Sequence, residues 1–213
     1  CGFERIDLNT NKVVSTNMTN FGQTVKEINS KDDFTLFINP APWNKVYKRE
    51  KVKDLRFLPF RGFNDAMFLA SCYTKMEKIA FVPEPLYHYY LRYDSQIHTV
   101  NKQDVENLKK YLLEVKKLYI ETNKYEEMKY ILDTFAFLHL GTSVMYRVSY
   151  DKEVNMKDML KETIKYLDEN FSNWRKSPFL KFGYSAKKGF KHIALWGVSI
   201  FYKIGLPMVY IKT

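Results

Sequence analysis

The chain has 213 residues, of which 46% are hydrophobic and 16% aromatic. This composition excludes a disordered chain and predicts a folded protein with a substantial core. Its two cysteines, Cys1 and Cys72, exclude a disulfide framework and a Cys/His metal cluster, and they favour a reducing, cytoplasmic environment. The net charge of +10 is concentrated at one end, because residues 171–213 hold eight Lys or Arg and no Asp or Glu.

The first residues indicate a β-hairpin and no targeting peptide. In "CGFERIDLNTNKVVST" apolar residues alternate on either side of a polar turn at Asn9, which predicts two short strands. The chain begins at Cys1 without an initiator Met, a basic segment or an apolar segment that would mark a signal peptide. We therefore expect it to be part of a longer protein.

The rest of the first hundred residues predicts a mixed α/β region. "TVKEINSKDDFTLFIN" favours a short helix followed by a loop, and "LRFLPF" resembles a strand. "NDAMFLASCYTKMEK" predicts a helix that Asn64 could cap. In "IAFVPEPLYHYYLRY", β-branched and aromatic residues surround two prolines, which is typical of edge strands.

From residue 101 the pattern is helical. Apolar residues recur at spacings of three and four in "DVENLKKYLLEVKKLYIETN", forming one stripe of Val105, Leu108, Leu112, Val115 and Tyr119. "YEEMKYILDTFAFLHLGTSVMYRV" and "NMKDMLKETIKYLDEN" repeat this pattern, the second with Asn155 as a cap and Asp158 in its first turn. The sequence thus predicts a boundary near residue 100, a helical bundle over residues 101–170, and a basic aromatic helical segment over residues 171–213.

The basic segment allows two interpretations. Its longest uncharged run, residues 193–202, is far shorter than the roughly 20 residues that a membrane-spanning helix needs. Lysines mixed with aromatic side chains suit a segment lying on the headgroups of an anionic leaflet, whereas a final core helix with a solvated basic face would have the same composition. Nucleic-acid binding is disfavoured, because the chain before this segment is almost neutral and contains no KH, RRM or zinc-knuckle pattern.

Common catalytic motifs are absent from the sequence. There is no Gly-rich phosphate loop, HExxH motif, nucleophile elbow or metal cluster. The four histidines are scattered without metal-ligand spacing, and His139 falls on the apolar side of a predicted helix, which favours a structural role. Asp65, in "FRGFNDAMF", stands at the start of a predicted helix, where a carboxylate can cap the helix or take part in chemistry.

Three motifs follow one another between residues 41 and 97. "PWNK.Y.RE" is followed by a Phe-rich segment, then by "GFNDAMF" opening a helix, and then by "PLY.Y..R..S.I". This order is similar to the second half of the family 2 glycosyltransferases of bacterial envelope and exopolysaccharide synthesis, inverting enzymes with a GT-A fold. In these enzymes the middle motif resembles "G..YEDA.F". The resemblance covers roughly residues 1–100 and implies the C-terminal part of a GT-A domain. Together with the helical pattern after residue 100, it gives an expected fold class of α/β, a partial GT-A domain followed by an all-α helical bundle.

The resemblance also implies roles for particular residues. Asp65 corresponds to the general base that takes the proton from the acceptor hydroxyl. Trp43 and Asn44 are expected on the acceptor side, and Arg92 is expected to face the diphosphate of the donor. Asn64 stands where the family has Glu, so it is expected beside the substrates with altered contacts.

The resemblance implies a transferase that moves a sugar from a nucleotide-sugar to a glycan or polyprenyl-linked acceptor. With the cysteine content and the basic segment, this leads us to expect a cytoplasmic protein, peripheral on the inner face of the cell membrane. A divalent metal, Mg or Mn, is implied by the family, but the DxD carboxylates that bind it belong to an upstream half that this sequence lacks. We therefore expect the chain alone to be inactive. The alternative is a non-catalytic helical module that docks onto a partner or forms a homo-oligomer.

Overall fold

The computed structural model describes residues 1–18, 24–59, 62–91 and 100–204. The chain separates into two compact units, residues 1–98 and residues 99–213. The first unit is mixed α/β and the second is helical.

A three-stranded sheet forms the centre of the first unit. Strand β1 (Gly2–Asp7) pairs antiparallel with β2 (Val13–Asn17), which confirms the predicted hairpin. The Asp7 carboxylate closes the turn by accepting hydrogen bonds from the backbone nitrogens of Asn9 and Thr10, at 3.0 and 2.8 Å. Strand β5 (Pro85–Leu91) pairs parallel with β1 on its other side, giving the order β2-β1-β5. The predicted edge position of β5 is confirmed.

The expected short helix in residues 24–39 is only partly correct. Strand β3 (Val25–Glu27) occupies the start of this segment and pairs antiparallel with β4 (Lys78–Ala80). The one-turn helix α1 (Phe34–Phe37) follows it. A very short strand stabilised by a partner that is distant in the sequence leaves almost no local periodicity, which explains why the sequence pattern missed it.

Two further predictions in this unit are wrong. The described part of "LRFLPF", residues 55–59, is irregular rather than a strand, and it follows the short helix α2 (Arg49–Val52). Helix α3 (Asn64–Cys72) forms as predicted, but its N-cap is Phe63 and not Asn64, which is already the first helical residue. The N-cap position makes no side-chain capping hydrogen bond.

The second unit contains the predicted helices. In α4 (Lys102–Glu121) the five residues of the predicted stripe are at most 1% exposed. Next come α5 (Tyr125–Ala136), a π-helix (Phe137–Val144) and α6 (Met145–Val148). Helix α7 (Met156–Asn170) has Asn155 as its cap, because the Asn155 side chain accepts hydrogen bonds from the first turn.

Residues 171–204 belong to the same compact unit as the bundle. Two 3₁₀ turns (Ser172–Lys176 and Pro178–Leu180) lead into helices α8 (Phe182–Lys188) and α9 (Phe190–Lys203). Trp174 is fully buried, stacks on Phe137 with ring centroids 4.8 Å apart, and meets the edge of Tyr202. The first part of the basic segment therefore contributes large aromatic side chains to the core.

Candidate functional site

The structure of the first unit brings the three sequence motifs together. The segment that links them is the PWNK loop, which we define as residues 39–47. This loop contains a 3₁₀ turn at Pro42–Asn44. Side chains of the loop contact β5 on one side and α3 on the other, so residues that are far apart in sequence share one site.

Trp43 joins the loop to the sheet. Its indole stacks on the rings of Tyr87 and Tyr89, with centroid distances of 4.3 and 5.3 Å. The two tyrosines lie two residues apart on β5 and therefore point to the same face of the sheet. Phe3 of β1 meets Trp43 edge to face at 4.9 Å. These three rings fix the orientation of Trp43, which remains half-buried.

Asn44 is buried, and its side chain bonds within the protein. Its Nδ2 donates to the carbonyl oxygen of Cys1 at 3.0 Å, and its Oδ1 accepts from the Lys45 ammonium at 2.8 Å. The Cys1 nitrogen in turn donates to the Asn44 carbonyl oxygen at 3.0 Å. Asn44 thus joins the loop to the start of β1 and positions it. The predicted contact between Asn44 and the substrate stays a prediction.

Lys45 is the residue whose importance the sequence analysis missed. Its Nζ donates to the carbonyl oxygens of Asn39 and Ala41 and to Oδ1 of Asn44. An ammonium group has three protons, and these three acceptors match them. Burial lowers the pKa of Lys45 to about 8, and the Asp65 carboxylate opposes part of that decrease. The lysine therefore holds the loop closed and places a positive charge near Asp65.

Asp65 is half-buried in the first turn of α3. Its Oδ1 accepts a hydrogen bond from the backbone nitrogen of Ala66 at 2.8 Å. The Asp65 carboxylate lies at the positive end of the helix dipole, and it interacts electrostatically with Lys45. The N-cap residue is Phe63, so Asp65 is not the cap, although its carboxylate bonds one backbone nitrogen of the first turn.

The backbone before α3 adopts a left-handed conformation at two consecutive residues. Gly62 has φ of 75° and Phe63 has φ of 55°. A bulky residue rarely adopts this conformation, which costs about 1–2 kcal/mol. Such strain is concentrated at functional sites in proteins, and here it immediately precedes the helix that carries Asp65.

Aromatic contacts fix the PWNK loop against α3. Tyr47 meets the edge of Phe68 with centroids 5.8 Å apart, and Phe57 stacks on the same ring at 4.4 Å. Burial raises the pKa of Tyr47 well above its usual range, so this phenol remains neutral.

Two predicted site residues remain, and the structure describes Asn64 but not Arg92. Asn64 is half-buried at the first position of α3, next to Asp65. Arg92 lies outside the described residues. Among the residues that the structure describes, no group of three or more His, Cys, Asp or Glu side chains could hold a metal ion.

The place of Lys45 in "PWNK" is a signal that could have identified it from the sequence. Lys45 follows Pro42, Trp43 and Asn44 and precedes Val46 and Tyr47, so its neighbours are mostly apolar, and a buried ammonium group needs several acceptors. The identity of those acceptors could not be read from the sequence, because two of them are backbone carbonyl groups.

Part of the chain is similar to "Putative glycosyltransferase EpsH" of Bacillus subtilis (strain 168). The two sequences are 32% identical over 103 residues, which is 46% of this chain and 30% of that protein. The matched part thus spans less than a third of the relative's length. No protein-family model and no solved structure matches the chain. The similarity supports a relationship to glycosyltransferases.

Proposed function

We propose that this chain is the acceptor-side part of an inverting glycosyltransferase of the GT-A type, with Asp65 as its catalytic base. The observation that carries the proposal is that the PWNK loop contacts both β5 and α3, and that its Lys45 interacts electrostatically with the half-buried Asp65 carboxylate of α3. The similarity to EpsH supports the transferase class independently of this geometry. The donor would be a nucleotide-sugar, and the acceptor a glycan or a polyprenyl-linked sugar of cell-envelope synthesis.

The reaction requires a base because a sugar hydroxyl is a weak nucleophile. Asp65 would take the proton from the acceptor hydroxyl while its oxygen bonds to the anomeric carbon of the donor. The bond from that carbon to the nucleotide diphosphate breaks on the opposite face, so the configuration inverts. General-base catalysis of this kind typically contributes about 10²- to 10⁴-fold to the rate.

The neighbouring residues would prepare this step. Lys45 and the N-terminus of α3 place positive electrostatic potential at the Asp65 carboxylate. Trp43 is held in place by Tyr87 and Tyr89, so the exposed remainder of its ring is a rigid apolar surface on which an acceptor sugar can pack.

Three roles remain proposals from the family resemblance. Asn44 and Asn64 would contact the substrates, and Arg92 would bind the donor diphosphate through bidentate hydrogen bonds. A divalent metal would neutralise that diphosphate when bound. We assign it no step, because the described residues bring no ligand set together.

The proposed class can be tested by screening nucleotide-sugars with the full-length protein. A transferase should release nucleoside diphosphate from one donor, faster in the presence of a polyprenyl-linked or glycan acceptor, with the sugar recovered on the acceptor. A protein that neither binds nor turns over any donor in a complete panel would contradict the proposal.

A further inference from the structure

Helix α9 exposes an apolar face. Positions spaced by three and four residues share one side of a helix. On α9 one such series is Phe190, Ala194, Gly197, Phe201 and Ile204, which ends just past the last helical residue. Phe190 is 84% exposed, Phe201 38% and Ile204 59%. A surface helix usually directs charged side chains outward, but residues 192–202 contain no Lys, Arg, Asp or Glu.

The opposite face of α9 fixes this orientation. Leu195, Ser199 and Tyr202 are buried in the second unit. The Tyr202 hydroxyl donates a hydrogen bond to the carbonyl oxygen of Gly141, and its ring meets Phe137 edge to face at 5.3 Å. Rotation of the helix to hide its apolar stripe would break this hydrogen bond and expose the tyrosine ring. The exposed stripe is therefore a stable feature of the folded unit.

Exposed lysines lie at one end of the stripe. Lys187 and Lys188 of α8 and Lys191 of α9 are exposed near the Phe190 end. Phe182 of α8 is 55% exposed and contacts Trp196 at 4.9 Å, which extends the apolar surface from α9 onto α8. Residues 171–213 contain no acidic side chain, so the charge of this part of the chain is positive throughout. We call this surface of Phe182–Lys188 and Phe190–Lys203 the α8–α9 face.

We propose that the α8–α9 face binds the surface of a bilayer rich in anionic lipids. The exposed aromatic and aliphatic side chains would enter the boundary between headgroups and acyl chains, and the lysines would contact anionic headgroups. The 14 residues of α9 measure about 21 Å, against about 30 Å of hydrocarbon. No helix in the described ranges is long and apolar enough to cross a membrane. The helix would therefore lie in the plane of the interface, an inference that does not depend on the proposed catalytic role.

The charge pattern favours a lipid surface over a second copy of the chain. An apolar stripe between protein copies would bring two sets of lysines together, which costs free energy. An anionic leaflet offers negative charge beside the apolar region and satisfies both parts of the surface.

The test uses flotation of the full chain with vesicles of one part phosphatidylglycerol to two parts phosphatidylcholine. We expect binding that weakens at high salt and is lost with pure phosphatidylcholine vesicles. The triple variant Phe190→Ser/Phe201→Ser/Ile204→Ser should bind at least about tenfold more weakly, because it removes apolar insertion. Lys187→Gln/Lys188→Gln/Lys191→Gln should weaken binding by roughly fivefold per lysine.

Matched controls distinguish binding through the α8–α9 face from nonspecific hydrophobic and electrostatic binding to vesicles. Leu113→Ser/Ile120→Ser removes exposed apolar side chains from α4, and Lys157→Gln/Lys161→Gln/Lys165→Gln removes exposed charges from α7. Both controls should retain most of the binding, and circular dichroism should show that every variant is folded. The proposal is overturned if the full chain does not float, or if the serine variant floats as well as the wild type. It is also overturned if sedimentation shows a dimer that the serine variant abolishes while vesicle binding is unchanged.

Discussion

Lys45 shows how one buried charge can organise a loop and serve a neighbouring carboxylate. Its ammonium group bonds three acceptors in residues 39–44, which closes the PWNK loop around Trp43. Burial of a charged amine is unfavourable, and the Asp65 carboxylate compensates for part of this cost.

This coupling predicts that Asp65→Asn lowers the pKa of Lys45 further below about 8. Burial remains in the variant while the opposing carboxylate charge is lost. The pKa can be measured by NMR titration of the lysine Cε signal. Asp54→Asn, at an exposed residue before the helix, is the matched control. An unchanged Lys45 pKa in Asp65→Asn would mean that the two groups do not interact.

The lowered pKa of His139 leads us to expect a specific pH dependence of the free energy of unfolding. Burial, aided by Arg147, lowers its pKa to about 4, whereas an unfolded chain binds this proton near pH 6.5. Between these values the unfolded state holds more protons, so the contribution of His139 to the free energy of unfolding falls as pH decreases from 6.5 to 4. His139→Gln should remove this contribution.

The measurement is urea denaturation of wild type and His139→Gln at neutral pH and at two values between the folded and unfolded pKa of the histidine. The effect of His139 is read from the difference in the free energy of unfolding between the two proteins. Asp133 makes this comparison necessary, because burial raises its pKa to about 6 and gives both proteins a contribution of opposite sign in nearly the same pH range. A difference that does not vary with pH would contradict the assignment of His139 as a neutral imidazole in the folded protein.

At the scale of elements, the start of α3 depends on an unusual backbone. Two left-handed residues, Gly62 and Phe63, direct the chain into the helix without a side-chain hydrogen bond from the N-cap. Glycine adopts this conformation without cost, whereas a β-carbon makes it unfavourable.

We therefore expect Gly62→Ala to destabilise the protein by about 1–2 kcal/mol although no described atom lies within 4 Å of the added carbon. Gly197 is the matched control, since it also has open space but lies inside α9. Gly197→Ala should stabilise by about 0.5–1 kcal/mol. Chemical denaturation measures both changes, and equal effects of the two substitutions would contradict the conformational explanation.

At the scale of the whole molecule, the second unit could be predicted better than the first. The apolar stripe of α4 is local in sequence, so its period revealed both the helix and the face that is buried. The Asn155 cap is likewise a local hydrogen bond.

The first unit depends on contacts between distant residues. Strand β3 forms because β4 pairs with it, and neither has a periodic pattern of its own. The N-cap of α3 is Phe63 in a left-handed conformation instead of the expected Asn64. Residue propensities do not predict a phenylalanine in this conformation. For the site, the sequence indicated Asp65 and Trp43 through family resemblance. The acceptors that hold Lys45 could not be read from the sequence, because two of them are backbone carbonyl groups brought together by folding.

The proposed role of Asp65 as the base for sugar transfer can be tested by measuring turnover of Asp65→Asn in the full-length protein. Asparagine has nearly the same shape but cannot accept the proton. We expect kcat to fall by about 10²- to 10⁴-fold while binding of the nucleotide-sugar is retained. Asp54→Asn should keep wild-type turnover. Wild-type kcat in Asp65→Asn would contradict the account.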